Sequence, residues 1–170
     1  MLDGKRIAIF AEKDFEDLEL FYPYLRLIEA GADVKILGVR KEKISGKHGL
    51  TINVDLLISE ADPNSFDCLI IPGGWAPDRL RRYSDVLDFT RRMFSLNKIV
   101  ATICHGPQVA ISAGILKGRR LTCVSAIKDD VINAGATYVD VPVIRDGNLI
   151  SSRVPSDLPQ FCQEIINALK

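Results

Sequence analysis

Cys104 and His105 stand together at the end of the apolar run Ile99-Val100-Ala101-Thr102-Ile103, and Gly106 and Pro107 follow at once. A thiol attacks a carbonyl carbon when a base removes its proton or its surroundings favour the thiolate. The run reads as a short strand buried on both faces. Gly106 turns the chain, and Pro107 suits the first position of a helix. Strand, sharp turn and helix with a nucleophile at the corner form the plan of a nucleophile elbow, with sulfur in place of a hydroxyl. A helix start beneath the sulfur is expected to lower its pKa. The competing reading is a small apolar Cys closing a strand, and on this window alone the two balance.

Other residues bear on the same chemistry. The chain has two histidines, His48 and His105, so imidazole-assisted catalysis must use one of them. This weighs against a glutamine-amidotransferase triad, which wants a His and an acid late in the sequence. Pro72-Gly73-Gly74 follows the apolar run Cys68-Leu69-Ile70-Ile71. Paired glycines let backbone N–H groups approach a ligand. With the N–H of His105, one of them could form an oxyanion hole. Asp78 is an acid able to orient a histidine, or equally a residue of a helix start. Glu12, Asp14, Glu16, Asp17 and Glu19 cluster after the first strand. Helical spacing puts Glu12, Glu16 and Glu19 near one face, and spacing does not choose which of them lies against Cys104. A carboxyl beside a thiolate would be driven towards protonation and could then donate a hydrogen bond to sulfur.

The remaining cysteines, Cys68, Cys123 and Cys162, show no paired spacing, as expected of free thiols in a reducing compartment. Cys68 and Cys162 read as structural, whereas Cys123 falls in a segment near the presumed site. Two histidines without ligand spacing fall short of a metal site. No glycine-rich phosphate loop is present, so no cofactor is expected. Lys+Arg and Asp+Glu both number 22. That balance gives no electrostatic footprint for nucleic acid or an anionic membrane, and a near-neutral surface resists self-association poorly. The N-terminal apolar run is too short for a leader or a span, so a cytoplasmic location is expected.

The elements that must position these groups alternate. Strands are expected at 6–10, 34–39, 50–54, 68–71, 99–103, 120–125, 137–139, 143–145 and 149–151. Helices are expected at 15–30, kinked at Pro23, and at 84–96, 107–113, 128–134 and 155–169. The 170 residues form one domain of the α/β class, with a mostly parallel sheet, helices on both faces and antiparallel edge strands. Ligands of such sheets sit at the carboxyl ends of the strands. The turns at Ala11 to Asp17, Pro72 to Asp78 and Cys104 to Pro107 all fall there.

Taken together, these segments resemble the ThiJ/PfpI family, in particular its archaeal PfpI intracellular peptidase branch. The resemblance rests on Ala101-Thr102-Ile103-Cys104-His105-Gly106-Pro107-Gln108, on Phe15-Glu16-Asp17 with Glu19, and on Ser45-Gly46-Lys47-His48-Gly49. Pro72-Gly73-Gly74 with Ala76-Pro77, Ile127-Lys128-Asp129-Asp130 with Asn133-Ala134-Gly135, and Ser151-Ser152-Arg153-Val154-Pro155 match in the same order. It covers about Lys5 to Leu169. The resemblance implies a flavodoxin-like sandwich that forms homodimers and often hexamers, with Cys104 as nucleophile and His105 as its partner. It implies Glu16 as the buried carboxyl touching the sulfur. It implies an acid from a neighbouring subunit orienting His105, at the position of Asp78, where relatives usually have Glu. Relatives often carry Tyr in place of Val124, and Arg is common in place of Trp75, which makes the mouth of the site more apolar here. Both peptidase activity and glyoxalase- or deglycase-type activity on methylglyoxal adducts are implied, since both begin with thiolate addition to a carbonyl. A non-enzymatic redox sensor or stress-response holdase, using oxidation of Cys104, is the alternative reading.

Overall fold

Apolar runs too short to cross a core as helices pair instead as buried strands. A computed structural model describes residues 1–170 and shows how they do so. In chain order, β1 (Arg6–Phe10) leads to α1 (Asp17–Glu29) and β2 (Asp33–Gly38). A small hairpin, β3 (Lys43–Ser45) with β4 (Thr51–Asn53), precedes β5 (Leu56–Leu57). Then come β6 (Cys68–Ile71), α2 (Ala76–Leu80), α3 (Ser84–Ser95), β7 (Ile99–Ile103) and α4 (Pro107–Ala113). The chain ends with β8 (Arg120–Leu121), α5 (Lys128–Asn133), β9 (Thr137–Tyr138), β10 (Val143–Asp146), β11 (Leu149–Ser152) and α6 (Leu158–Leu169).

Seven strands form one sheet in the order β10-β11-β7-β6-β1-β2-β5. Every neighbouring pair is parallel except the β10–β11 hairpin at one edge. The fold is therefore the expected flavodoxin-like α/β arrangement. Every residue of β6 and β7 is buried, as two-sided cover by helices requires. The helices α1 and α6 pack side by side, as do α3 and α4, and both α3 and α6 lie against β7.

Register decides what meets at the edge where ligands bind. Ile71 pairs with Thr102, so β6 and β7 end at the same level and release Gly73 and Cys104 beside each other. Ile9 pairs with Ile70, which brings the turn after β1 to the same edge.

Several local expectations change. The helix α2 arises where the sequence reads as an extended turn, because five residues are too few to show a period. The segment 120–125 is a strand only at Arg120–Leu121, since Val124 gives its N–H to the Cys104 carbonyl at 3.2 Å. Pro155–Asp157 is a separate 3₁₀ turn ahead of α6. Pro23 lies inside α1, which continues through it to Glu29. No helix is long and apolar enough to cross a membrane.

Candidate active site

Two turns are stitched together before any catalytic side chain enters. The N–H of Glu16 donates to the carbonyl of Gly73 at 3.1 Å, and that of Trp75 to the carbonyl of Asp14 at 2.9 Å. Asp14 adopts φ 62°, in the left-handed region that Asp tolerates. Its carboxylate pairs with Arg79 of α2 at 2.9 Å. Gly74, at φ 79°, has no room for a Cβ, which would meet the backbone of Phe15 and Glu16. The start of α1 is thereby drawn against the ends of β6 and β7.

Cys104 sits at the third turn with φ 60°, a conformation that costs a non-glycine residue energy. Backbone bonds hold it there. Its N–H donates to Ser152 and its carbonyl accepts from Val124, both at 3.2 Å. Gly106 keeps the corner tight, because a Cβ would strike the carbonyls of Ile71 and Ile103. The sulfur lies 3.4 Å from His105 Nδ1. The N–H groups of His105 and Gly74 lie on the sulfur's side and favour its thiolate, and Cys104 keeps 9% of its surface.

The carboxyl against the sulfur is Glu19, which corrects the assignment to Glu16. Glu19 is fully buried on the inner face of α1 and accepts the N–H of Gly73 at 2.9 Å, and a Cβ on Gly73 would touch both its carboxyl and the Cys104 side chain, which places the two groups side by side. Glu16 is instead the N-cap of that helix. Its side chain folds back to accept the N–H groups of Leu18 and Glu19 at 3.1 and 3.2 Å. Its other oxygen lies 3.6 Å from His48 Nε2. Glu12 is buried elsewhere, paired with Arg40 at 2.8 Å.

Burial pushes the Glu19 pKa up to about 8, with the charge of Glu16 adding to the effect. The group is therefore neutral at neutral pH and able to donate. Burial also pushes the Cys104 thiol up to about 12, followed by the charge of Glu19, against the opposing N–H groups of His105 and Gly74. Burial thus works against the acidic thiol expected of such a corner. Helix α4 has only seven residues, and desolvation of the sulfur outweighs what its terminus supplies. His105 is held below its ordinary value by burial and by the charge of Lys47, so it is a neutral base within reach of the thiol.

Gly73 is not free to bind an oxyanion, because its N–H is engaged by Glu19. The N–H groups of Gly74 and His105 remain, both aimed at the sulfur. Asp78 projects from α2 and pairs with Arg82 of its own chain at 2.6 Å. Cys68, Cys123 and Cys162 are free and buried, with thiols raised by desolvation. Cys123 is fully buried, with Asp130 nearby, and its neighbour Val124 bonds to the Cys104 carbonyl. No cluster of three or more His, Cys, Asp or Glu side chains is arranged to hold a metal.

The mouth joins Trp75 to groups to which sequence reasoning assigned no role. Trp75 is 58% exposed, and its ring lies 6.2 Å from that of His105. Lys47 Nζ lies 5.7 Å from the Trp75 ring. Asp17 is buried and holds the loop that carries Lys47. The Gly46 and Gly49 pair that bounds this loop was the available signal.

A doubly covered parallel sheet with a strained Cys at a strand-to-helix corner, backed by a buried carboxyl, defines a class of cysteine-centred α/β proteins. The DJ-1/PfpI family model matches residues 5–168, and the chain belongs to that family. Over 165 residues it is 50% identical to a Pyrococcus abyssi protein named a deglycase, covering 97% of this chain and 99% of that one. A Bacillus subtilis protein named provisionally as a cysteine protease is 41% identical, with 98% of this chain and 99% of that one covered. Among solved structures, a two-domain Anabaena variabilis protein with DJ-1/ThiJ/PfpI-like and ferritin-like domains superposes with a TM-score of 0.97 at 42% identity. That match covers 98% of this chain and 48% of that one. Drosophila melanogaster DJ-1beta gives 0.91 at 28% identity, covering 97% of this chain and 90% of that one.

Proposed function

We propose that this protein is a cysteine-dependent hydrolase acting on small carbonyl compounds, of the deglycase or glyoxalase kind. The observation that carries the reading is the Cys104 sulfur at a strained corner, 3.4 Å from a neutral imidazole and beside a buried carboxyl whose pKa is raised to about 8. His105 takes the thiol proton as the sulfur adds to the carbonyl carbon, so the thiolate is made on demand. Glu19, still protonated at neutral pH, is the acid at hand for the carbonyl oxygen, with the N–H groups of Gly74 and His105 nearby. For a 2-oxoaldehyde, the proton that His105 took from the thiol then passes to the Glu19 carboxylate, and His105, a base again, moves the hydrogen of the aldehyde carbon to its neighbour. The product is a thioester, and water cleaves it to a 2-hydroxy acid and the free thiol. Methylglyoxal plus water thus gives lactate.

A peptidase would open with the same addition, and one relative's provisional name points that way. With 9% of Cys104 exposed, a compact electrophile fits better than an extended peptide. The raised thiol also speaks against a standing peroxide sensor, which needs thiolate at rest. In the same reading the protein works as a homodimer or larger assembly, in which Asp78 of a second copy exchanges Arg82 for His105.

The test is lactate formation from methylglyoxal beside cleavage of fluorogenic peptides. Wild type should form lactate, and Cys104→Ser should lose at least about a hundredfold in rate. Equal rates in the two proteins refute the nucleophile assignment. Peptide cleavage without lactate formation would move the assignment to peptidase.

A further inference from the structure

The loop Gly46 to Leu50 takes no part in the chemistry above, yet it is fixed more firmly than a surface turn requires. Asp17, 3% exposed, accepts the N–H groups of His48 and Leu50, each at 2.9 Å. Lys47 gives its own N–H to the carbonyl of Phe15 at 2.9 Å, and Gly46 gives its N–H to Leu50 at 2.8 Å. A Cβ on Gly46 would run into the Asp17 carboxylate and the Phe15 ring. The backbone of Lys47 is therefore tied to the same turn that leads into Glu16 and Glu19. Its side chain reaches the open side of the site, with Nζ near the exposed Trp75 ring, which adjoins His105. Its charge reaches both the Glu19 carboxyl and the His105 ring. The ion pairs around it are Arg79–Asp14, Arg82–Asp78 and His48–Glu16, and Lys47 belongs to none of them.

We infer that Lys47 is an anion-recognition residue of this site, so that the preferred substrates carry a carboxylate or phosphate a few bonds from the reacting carbonyl. The inference rests on the reading of Cys104 as the nucleophile. A lysine ammonium is a point charge on a flexible stem, able to meet either anion. The exposed indole supplies an apolar wall beside it. The chain's formal charge is zero, so this selectivity is local to the mouth and is not the work of a long-range field.

Iodoacetate and iodoacetamide test this directly at the sulfur. Each forms a carbon–sulfur bond and expels iodide, and they differ chiefly in charge. The ratio of their rates at Cys104, read by peptide mass spectrometry, therefore cancels any change in thiolate fraction. At low ionic strength the iodoacetate-to-iodoacetamide ratio should fall about fivefold in Lys47→Met and hold in Lys47→Arg. The difference should fade near 1 M salt. An unchanged ratio in Lys47→Met overturns the inference, and so does a failure of either reagent to label Cys104. Protection against iodoacetamide then separates the anions. Glyoxylate or glyceraldehyde 3-phosphate should protect wild type at lower concentration than methylglyoxal or glyceraldehyde, and this advantage should vanish in Lys47→Met. If neither anion protects better than its neutral counterpart, the inference falls. Lactate formation that survives in Cys104→Ser refutes the hydrolase reading alone, because the labelling ratio does not depend on turnover.

Discussion

Glu19 and Cys104 compete for protons in a place that water barely enters, and the pair sets the pH behaviour of the site. The folded chain holds the Glu19 proton up to about pH 8, while the ordinary value is 4.5. Below 4.5 both folded and unfolded states carry that proton, and above about 8 neither does. In between the folded state binds more protons, so stability falls as pH rises through that window. The loss is on the order of a few kcal/mol. Denaturant unfolding of wild type and Glu19→Gln across this range should show the wild-type slope disappear in the variant, and parallel curves would refute the raised value. The same pair governs reactivity. At about pH 9 Glu19 is an anion against the sulfur and opposes ionisation of the thiol, whereas Gln keeps a donor without the charge. Glu19→Gln should therefore alkylate about tenfold faster than wild type at that pH, with the two converging near neutrality. Iodoacetamide labelling of Cys104 measures it, and a slower variant at pH 9 would contradict the argument.

At the scale of elements, the site is made by two turns that cannot relax independently. Gly74→Ala would place a Cβ 2.7 Å from the Phe15 backbone at a positive φ. The variant should lose about 2 kcal/mol or more of stability, with labelling of Cys104 altered, as calorimetry and iodoacetamide rates would show. Asp17→Ala would strip two N–H groups of their acceptor. It should cost about 2 kcal/mol and open the chain near Lys47 to limited proteolysis. Unchanged cleavage at that loop would show that the carboxylate is not what holds it. These two positions also mark what the sequence could say. The five-residue strands β1 and β7 are apolar except at Arg6 and Thr102, and their limits are legible as such. The elbow at Cys104 follows from Gly106 and Pro107. The choice among Glu12, Glu16 and Glu19 does not follow, because periodicity fixes which residues share a face but not how the helix is rotated on the sheet. That rotation is settled where Glu16 caps α1 and Glu19 meets Gly73, contacts separated by 54 residues in the second case. The role of Lys47 was not legible for the same reason, since it is held at the mouth by the Phe15 carbonyl and by the Asp17 carboxylate, the latter 31 residues away from its neighbour His48.

The whole molecule leaves one apolar face without cover. Along the outer side of α1, Leu18 is 55% exposed, Tyr22 38%, Leu25 59% and Ile28 44%. Beside them Phe21, Arg26 and Glu29 help line a depression of about 620 Å³. Leaving such a stripe in water forgoes about 25 cal/mol for each Å² that a partner would bury. A second copy is the partner that its charges favour. Arg26 and Glu29 stand one turn apart at the rim, paired with each other at 3.4 Å in the single chain, and a twofold arrangement can exchange that pair for Arg26 of each copy against Glu29 of the other, as an isologous interface allows. The overall balance of 22 cationic and 22 acidic residues offers no net repulsion to oppose it. Sedimentation velocity should therefore find wild type as a dimer or larger, and the pair Leu18→Glu with Leu25→Glu should release monomer. Both positions are exposed in the single chain, so the variant should keep its fold and its thermal unfolding should stay cooperative. The helix that carries this stripe also carries Glu19 on its opposite side. Release of the monomer is accordingly expected to change labelling of Cys104 as well as the sedimentation coefficient. A wild type that sediments as a monomer would remove both the interface and any route by which Asp78 reaches His105 from a neighbour.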